Sequence, residues 1–343
     1  MNKHIVRILS FIFVFATSIA CSPKTENKNN LSDNSETIAA LASWNDTQTK
    51  QNIIDFVEDV TNEASPNFIA IEDRIATFDN DGNLWAEQPY YFQLRFALDM
   101  IQKMAPEHSE WKDDELFQAA INNDLETILH SGDEGLIKIL MTSHTGNTAE
   151  EFQANVVEWI NSAKHPKTGR LYKEMVYQPM LELLDYLRAN NFKLFIVSGG
   201  GIDFMRAFAD KVYNIPKDQI IGSTIETDFV ITEEGPKIIR LPKLNFNDDK
   251  KGKPIAINRH IGRIPVFASG NSDGDLPMLQ YTESGKGKRF MLYLHHTDAE
   301  REWAYDRESH IGRLDKGLDE ANAKGWTVID MKNDWKVVFP YEK

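Results

Sequence analysis

The chain has 343 residues, of which 41% are hydrophobic and 26% are charged, and its formal net charge at pH 7 is −14. A chain of this length can bury one large core, or a core with a smaller appended domain. The acidic balance argues against nucleic acid as a partner and against attraction to anionic lipid, because both interactions need basic faces. A small anionic substrate would have to be attracted by a local positive site.

The first residues have the features of an export signal. "MNKHIVR" is basic, and "ILSFIFVFATSIA" is apolar but too short for a comfortable membrane span. Small residues precede Cys21, the only cysteine in the sequence, so no internal disulfide can form. The arrangement resembles a bacterial lipoprotein signal, which predicts a signal peptide over residues 1–20 and a lipid anchor on Cys21 facing the periplasm or cell exterior. The alternative is an ordinary secretory signal with Cys21 incidental.

The next residues predict a tether and then the start of a fold. Residues 21–43 are polar and rich in Asn, Ser and Lys, which is typical of a flexible tether. Apolar residues then recur at helical spacing from Ile53 to Val60, which predicts a first helix. "RIATF" follows as a short buried strand. Residues 90–163 contain four helix candidates, one of them over residues 113–130, and no strand pattern, so we expect them to form an inserted helical cap.

Strand and helix patterns alternate after the cap. "FKLFIVSGGG" reads as a buried strand that runs into a glycine turn, and "IPVFAS", "RFMLYLHH" and "WTVIDM" read as further strands, with helices between them. Residues 219–242 predict short antiparallel strands, and the residues after Trp335 an ordinary tail. The alternation predicts an α/β fold with a doubly wound parallel sheet. The predicted core consists of residues 44–89 and 164–343, and the predicted cap of residues 90–163.

Polar residues follow three of the predicted strands. They are Asp79 and Asp81; Ser198, Gly199 and Gly200; and Asn271, Asp273 and Asp275. Ligands of an open parallel sheet bind beyond the carboxyl ends of its strands, so we expect these residues to share one site. Lys253 lies between the second and third groups in the sequence.

These residue types suit phosphoryl transfer. A carboxylate can attack phosphorus and hold it as an aspartyl phosphate, and a second carboxylate can donate and accept the protons. Ser198 and the glycine amides at the strand end can bind the anion, and a lysine can hold the same phosphate. Mg²⁺ takes oxygen ligands and reduces the repulsion between crowded acids, so it is the expected cofactor.

The sequence resembles a known family at these positions. "FDNDGNLW", "FIVSGGG", the lysine of "GKP" and "GNSDGDLPML" are similar to the motifs of the haloacid dehalogenase superfamily of phosphohydrolases, and the second motif resembles its phosphoserine-phosphatase-like branch. The resemblance implies that Asp79 is the nucleophile, that Asp81 is the general acid and base, and that Ser198 and Lys253 bind the phosphoryl group. It also implies a Mg²⁺ site with the ligands Asp79, the backbone carbonyl of Asp81, Asn271 and Asp275.

The sequence departs from the family pattern at two positions. Asn83 stands where threonine is common, which puts fine positioning in doubt. Asn271 stands where the fourth motif has its first acid, so the metal site has one charge fewer. Asp273 is the alternative ligand at that loop. Lys250 and Lys251 are the rivals of Lys253 for the phosphate-binding role.

Other polar residues admit a structural interpretation. His295 and His296 end a strand, but a site with Asp81 needs no imidazole, so we expect a structural or solvent-facing role. Glu87, Gln88 and Arg95 follow the first motif, where they could contact a leaving group or simply form solvated helix ends.

The predicted function is Mg²⁺-dependent hydrolysis of small phosphate esters by an exported, lipid-anchored enzyme. The alternatives are a phosphotransferase or mutase with the same core, and a surface lipoprotein that binds a phosphorylated ligand without turnover. The sequence predicts neither the ester nor an oligomeric state.

Overall fold

The structure, a computed structural model, describes residues 41–342. The predicted signal peptide and Cys21 lie outside the described residues. Leu41 and Ser43, which the sequence places in the tether, are buried against the folded part, so the packed chain already includes the end of that segment. Within residues 41–342, no helix has the length and apolar character needed to cross a membrane.

The strands form one eight-stranded sheet in the order β4-β3-β2-β1-β5-β6-β7, and β8 pairs with β6. Their bounds are β1 Ile75–Phe78, β2 Lys193–Gly201, β3 Ile220–Thr232, β4 Gly235–Phe246, β5 Phe267–Gly270, β6 Phe290–Thr297, β7 Ala304–Tyr305 and β8 Thr327–Asp330. The pairs β1–β2, β1–β5, β2–β3, β5–β6 and β6–β8 are parallel, whereas β4 and β7 are antiparallel to their neighbours. The predicted doubly wound parallel sheet is confirmed.

The helices accompany the sheet and form the segment predicted as a cap. Their bounds are α1 Gln48–Thr61, α2 Phe92–Met104, α3 Glu115–Asn122, α4 Leu125–His130, α5 Gly132–His144, α6 Ala149–Ile160, α7 Gln178–Ala189, α8 Ile202–Arg206, α9 Ala209–Val212, α10 Gly252–His260, α11 Leu276–Glu283, α12 Lys316–Lys324 and α13 Met331–Asp334. Single-turn 3₁₀ helices lie between several of them.

Apolar burial explains why the central elements form. All four residues of β1 are buried, as expected for a parallel strand covered on both faces. The buried face of α1 places Phe56 against Phe192, Phe267 and Phe290, with ring centroids 6.5, 6.2 and 5.0 Å away. This packing places α1 against β5 and β6 and beside the start of β2.

The helical segment differs from its prediction in one place. The residues predicted as a single helix over 113–130 form α3 and α4, because Asn123 adopts a left-handed conformation with φ 57° and Asp124 caps α4 through the Thr127 amide. Helices α2 to α5 surround an apolar cluster of their own, while Phe96 on α2 and Phe152 on α6 belong to the main core. The boundaries of a separate cap at residues 90 and 163 stay a prediction.

Two further regions differ from the sequence interpretation. The strands predicted to be short are the 13-residue β3 and the 12-residue β4, which form a long hairpin. The residues after Trp335 are not an ordinary tail, because Val338 and Phe339 are buried and the Phe339 ring lies 5.7 Å from that of Tyr177.

Candidate active site

The carboxyl ends of β1, β2 and β5 meet at one edge of the sheet. Phe78 pairs with Ile196 on one side and with Ser269 on the other, so the residues that follow each strand are neighbours. They line a cavity of about 340 Å³. Its walls include Asp79, Asp81, Ser198, Gly199, Gly200, Lys253 and Asp275. The structure thus brings together the residues that the sequence predicts for the phosphoryl site.

Lys253 is the central cation of this cavity. Its Nζ lies 2.5 Å from Asp79 Oδ1 and 2.6 Å from Asp275 Oδ1, and it donates a third hydrogen bond to the Val197 carbonyl at 2.9 Å. Burial opposes its charge, but the two carboxylates outweigh that effect and raise the pKa of Lys253. Its rivals Lys250 and Lys251 are exposed, so the geometry selects Lys253.

The two aspartates of the first motif have different surroundings. Burial and the neighbouring Asp275 raise the pKa of Asp79, and the Lys253 ammonium opposes that rise. Burial raises the pKa of Asp81 to about 6, against the hydrogen bond that Trp85 Nε1 donates to Asp81 Oδ1 at 2.8 Å. A carboxyl group with a pKa near 6 can both donate and accept a proton near neutral pH, which is the property required of a general acid and base.

Ser198 and the glycines after it form the wall opposite these aspartates. Ser198 is buried, and its Oγ accepts a hydrogen bond from the Gly200 amide at 3.1 Å. The glycines were expected in a turn after the strand, but β2 includes them, and its register with β3 is irregular between Ser198 and Gly201. Gly199 and Gly200 remain exposed to the cavity, so their backbones can approach a phosphate.

A family model for haloacid dehalogenase-like hydrolases matches residues 76–280, which is more than half of the chain. The chain belongs to this hydrolase family. None of the curated proteins matches the chain. The matched residues contain the strand ends, Lys253 and the loop from Asn271 to Asp275, so the family assignment and the cavity concern the same part of the molecule.

Several solved structures are similar to this chain at low sequence identity. A protein of unknown function from Bordetella pertussis Tohama I is 15% identical, with a TM-score of 0.50, over 75% of this chain and 98% of that one. A functionally unknown protein from Anaerococcus prevotii DSM 20548 is 15% identical, with a TM-score of 0.54, over 84% of this chain and 93% of that one. A probable phosphoserine phosphatase from Vibrio cholerae is 13% identical, with a TM-score of 0.39, over 80% of this chain and 64% of that one.

Asn83, the first departure from the hydrolase pattern, is fully integrated in the site. Its Nδ2 donates to the carbonyls of Asp79 at 3.1 Å and Ser269 at 3.4 Å, and its Oδ1 accepts from Ser269 Oγ at 2.8 Å. It therefore ties the end of β1 to β5 directly behind Asp79. The expected doubt about positioning is not supported by this geometry.

Asn271 and Asp273 of the fourth motif have different surroundings. Asp273 Oδ1 accepts from the amides of Asp315 and Gly317 at 3.0 and 2.8 Å, so its carboxylate is engaged at the start of α12. Asn271 donates from Nδ2 to Glu87 Oε1 at 2.7 Å, and its buried Oδ1 has no hydrogen-bond partner among the described residues. Of these two side chains, Asn271 has a buried oxygen without a partner, whereas Asp273 is held by its Oδ1 at the start of α12.

Asp275 supports the loop from Asn271 as well as Lys253. Its Oδ2 accepts from the amides of Asn271 and Ser272 at 2.9 and 3.0 Å and from Ser272 Oγ at 3.1 Å. This oxygen is fully used within the protein. Only Oδ1, which faces Lys253, could contribute to a metal site, and the predicted ligand role of Asp275 stays a prediction.

The donor set fits a hard cation such as Mg²⁺. Within residues 41–342, no group of three or more His, Cys, Asp or Glu side chains is placed to hold a metal ion. The predicted set is of another kind, since it combines the carboxylates of Asp79 and Asp275 with two neutral oxygens, the Asp81 backbone carbonyl and the Asn271 amide oxygen. Mg²⁺ commonly uses one or two carboxylates and completes its shell with neutral oxygens. The orphaned Asn271 Oδ1 is the observation that favours this fit.

The remaining polar candidates either line the cavity or make contacts that support the fold. Glu87 lines the cavity and is 2% exposed. His296 is buried and joins the Gly82 carbonyl at 2.7 Å to Glu302, so it supports the loop behind Asp81, as the structural interpretation expected. Arg95 pairs with Asp99 on α2, and Gln88 donates to the Ile311 carbonyl at 3.3 Å.

Gln93 is a site residue that was not predicted from the sequence. Its Oε1 accepts a hydrogen bond from the Gly201 amide at 2.7 Å. Gln93 also lines the cavity, which therefore contains polar residues of the cap segment as well as of the strand ends. Its only sequence signal was its place in the first turn of the predicted helix.

We expect Asp248, which lies in the loop before α10, to lower the stability of the folded state in a pH-dependent way. Its carboxylate is fully buried without a hydrogen-bond partner among the described residues, and burial raises its pKa to about 7. Between about pH 4 and pH 7 the folded state therefore holds a proton that the unfolded chain has lost, so stability falls as the pH rises. Asp248→Asn should raise the melting temperature at pH 8 by several degrees and far less at pH 4.5. An equal shift at both pH values would contradict this.

Proposed function

We propose that the protein is a Mg²⁺-dependent phosphomonoesterase that acts on small phosphate esters through an aspartyl phosphate on Asp79. The observation that carries the proposal is the buried contact of Lys253 with Asp79 in a cavity that also contains Asp81 and Ser198. One cation next to a nucleophilic carboxylate gives a phosphate a place to bind and an atom to react with. Membership of the hydrolase family supports the same reaction class.

In the first step a phosphate ester binds with its phosphoryl oxygens towards Lys253 Nζ, Ser198 Oγ and the glycine amides. These donors offset the charge that spreads over the oxygens during transfer. A carboxylate oxygen of Asp79 attacks phosphorus and forms an O–P bond, while the bond from phosphorus to the ester oxygen breaks. Asp81 donates its proton to that leaving oxygen. When bound, Mg²⁺ would neutralise charge between the phosphoryl group and the carboxylates.

The second step returns the enzyme to its starting state. Asp81, now ionised, accepts a proton from a water molecule, and the water oxygen attacks phosphorus. The bond between Asp79 and phosphorus breaks, which releases inorganic phosphate and regenerates the carboxylate. The pKa of about 6 for Asp81 suits it to both proton transfers.

The shape of the cavity favours small esters. Leu94, Leu136 and Leu140 line it on the side of the cap segment, and its volume is about 340 Å³. Apolar side chains at this position would contact the leaving group and exclude water from the aspartyl phosphate. This supports a substrate with a compact alcohol and does not distinguish one alcohol from another.

Phosphate release tests this proposal. Purified residues 41–343 should hydrolyse a generic aryl phosphate and small alkyl phosphates with Mg²⁺, and EDTA should abolish the activity. Asp79→Asn should lower kcat by at least about 10³-fold because it removes the nucleophile, and Asp81→Asn by about 10²- to 10⁴-fold because it removes the proton donor. Asp273→Asn, outside the site, is the matched control.

Unchanged turnover in Asp79→Asn would contradict the phosphatase proposal. Product formed only with an added alcohol acceptor would favour a phosphotransferase.

We also propose that the enzyme is exported and anchored by a lipid on Cys21. The support is the order of a basic segment, an apolar segment and small residues before the cysteine. Cells that express the full chain should incorporate labelled fatty acid into the protein and retain it in the membrane fraction. Cys21→Ser should abolish the label. Labelling that survives this substitution, or a mature protein that begins elsewhere, would exclude the anchor.

A further inference from the structure

The side-chain amide of Asn271 has two different ends, and only one of them has a partner. Nδ2 donates to Glu87 Oε1 at 2.7 Å, whereas Oδ1 has no hydrogen-bond partner among the described residues. The whole residue is 1% exposed. An aspartate at this position would offer two equivalent oxygens. An asparagine offers one, so its usefulness to a cation depends on which way the amide is turned.

Glu87 is held in a position that determines this orientation. Its Oε1 also accepts from the Tyr305 hydroxyl at 2.8 Å. Tyr305 in turn stacks on His296, with ring centroids 4.3 Å apart and an interplanar angle of 18°. His296 is fixed to the Gly82 carbonyl in the loop that follows Asp81. The carboxylate that faces Asn271 is therefore part of a network that reaches the backbone of the first motif.

Two glycines leave room for the Glu87 carboxylate. A Cβ at Gly82 would lie 2.3 Å from Glu87 Oε1, and one at Gly312 would lie 1.9 Å from it. Both distances are far shorter than a van der Waals contact, so the carboxylate occupies space that any other residue at these positions would fill. Gly82 has φ +73° and Gly312 has φ +66°, conformations that glycine adopts most easily. The location of Glu87 is thus built by residues 82, 305 and 312.

We propose that Glu87 is a positioning residue for Asn271 and that the two form an exchanged acid–amide pair. The acid that the family pattern has at position 271 is carried here by Glu87, one hydrogen bond further out. By accepting from Nδ2, Glu87 leaves the amide oxygen of Asn271 as the free end of the side chain, available to Mg²⁺. This inference rests on the proposed Mg²⁺-dependent function and assigns to this chain its own way of building that site.

If the pair is exchanged in this way, the effects of substituting Glu87 and Asn271 on Mg²⁺ binding should depend on each other. Glu87→Gln permits the introduced Nε2 to donate one hydrogen to Asn271 Oδ1 and the other to the Tyr305 hydroxyl, which then accepts instead of donating. This arrangement would turn the Asn271 oxygen away from the metal. Asn271→Asp alone places two carboxylates in contact at the present 2.7 Å, and one of them must then be protonated. Combining the two substitutions restores a donor–acceptor pair with the opposite polarity, and a carboxylate oxygen again becomes free for the cation.

The positioning role of Glu87 can be tested by isothermal titration calorimetry with Mg²⁺ and no substrate. The proteins to compare are wild type, Glu87→Gln, Asn271→Asp and the double variant. Glu87→Gln should weaken Mg²⁺ binding about tenfold, within the range seen for partners of metal ligands. The double variant should bind within about threefold of wild type. Asp273→Asn, an acid of the same loop that points elsewhere, should leave the affinity unchanged.

Two results would overturn the positioning role. One is an unchanged Mg²⁺ affinity in Glu87→Gln, and the other is a double variant whose loss of Mg²⁺ affinity equals the sum of the losses in the two single variants. If Glu87→Gln does not fold, Tyr305→Phe decides, because it removes one hydrogen bond to Glu87 and should weaken Mg²⁺ binding severalfold without changing the far-ultraviolet circular dichroism. Parallel phosphate release by wild type separates the two proposals. Mg²⁺-dependent release with additive effects refutes only the pair, whereas absence of Mg²⁺ binding by wild type refutes both.

Discussion

The buried ammonium of Lys253 is the contact on which the rest of the site depends. It joins the residue after β1, the loop after β5 and the last part of β2, since its three hydrogen bonds go to Asp79, Asp275 and the Val197 carbonyl. Two buried carboxylates without this cation would repel each other, and one would stay protonated. A buried ion group of this kind adds little to stability by itself, so its value is that it fixes the nucleophile next to a positive charge.

Much of this arrangement can be predicted from local patterns. The buried run before Asp79 ends in two charged residues, and strands alternate with helices, so the sheet is parallel and its carboxyl ends meet. That rule alone places Asp79, Ser198 and Asn271 together, and the structure confirms it. The rule does not distinguish Lys253 from Lys250 and Lys251, because the three lysines lie close together and look alike in the sequence. Burial separates them, and burial depends on how α10 packs.

The parts that could not be predicted depend on contacts between distant residues. Nothing near Glu87 in the sequence indicates that Tyr305 and Asn271 will both donate to it. The engagement of Asp273 by amides of residues 315 and 317 is equally remote, so the sequence left the choice between Asn271 and Asp273 open. The length of the β3–β4 hairpin and the burial of Phe339 are likewise set by tertiary packing.

The most direct test of the account is to trap the phosphoryl group on the protein. Enzyme mixed with a ³²P-labelled phosphate ester and Mg²⁺ and quenched in acid within milliseconds should carry protein-bound ³²P. Borohydride added to a parallel quenched sample should release that phosphate and reduce the acylated Asp79 to homoserine. The label should form and decay at rates compatible with phosphate release and should be absent from Asp79→Asn. Phosphate release without any protein-bound label, or a label on another residue, would contradict the proposed aspartyl phosphate.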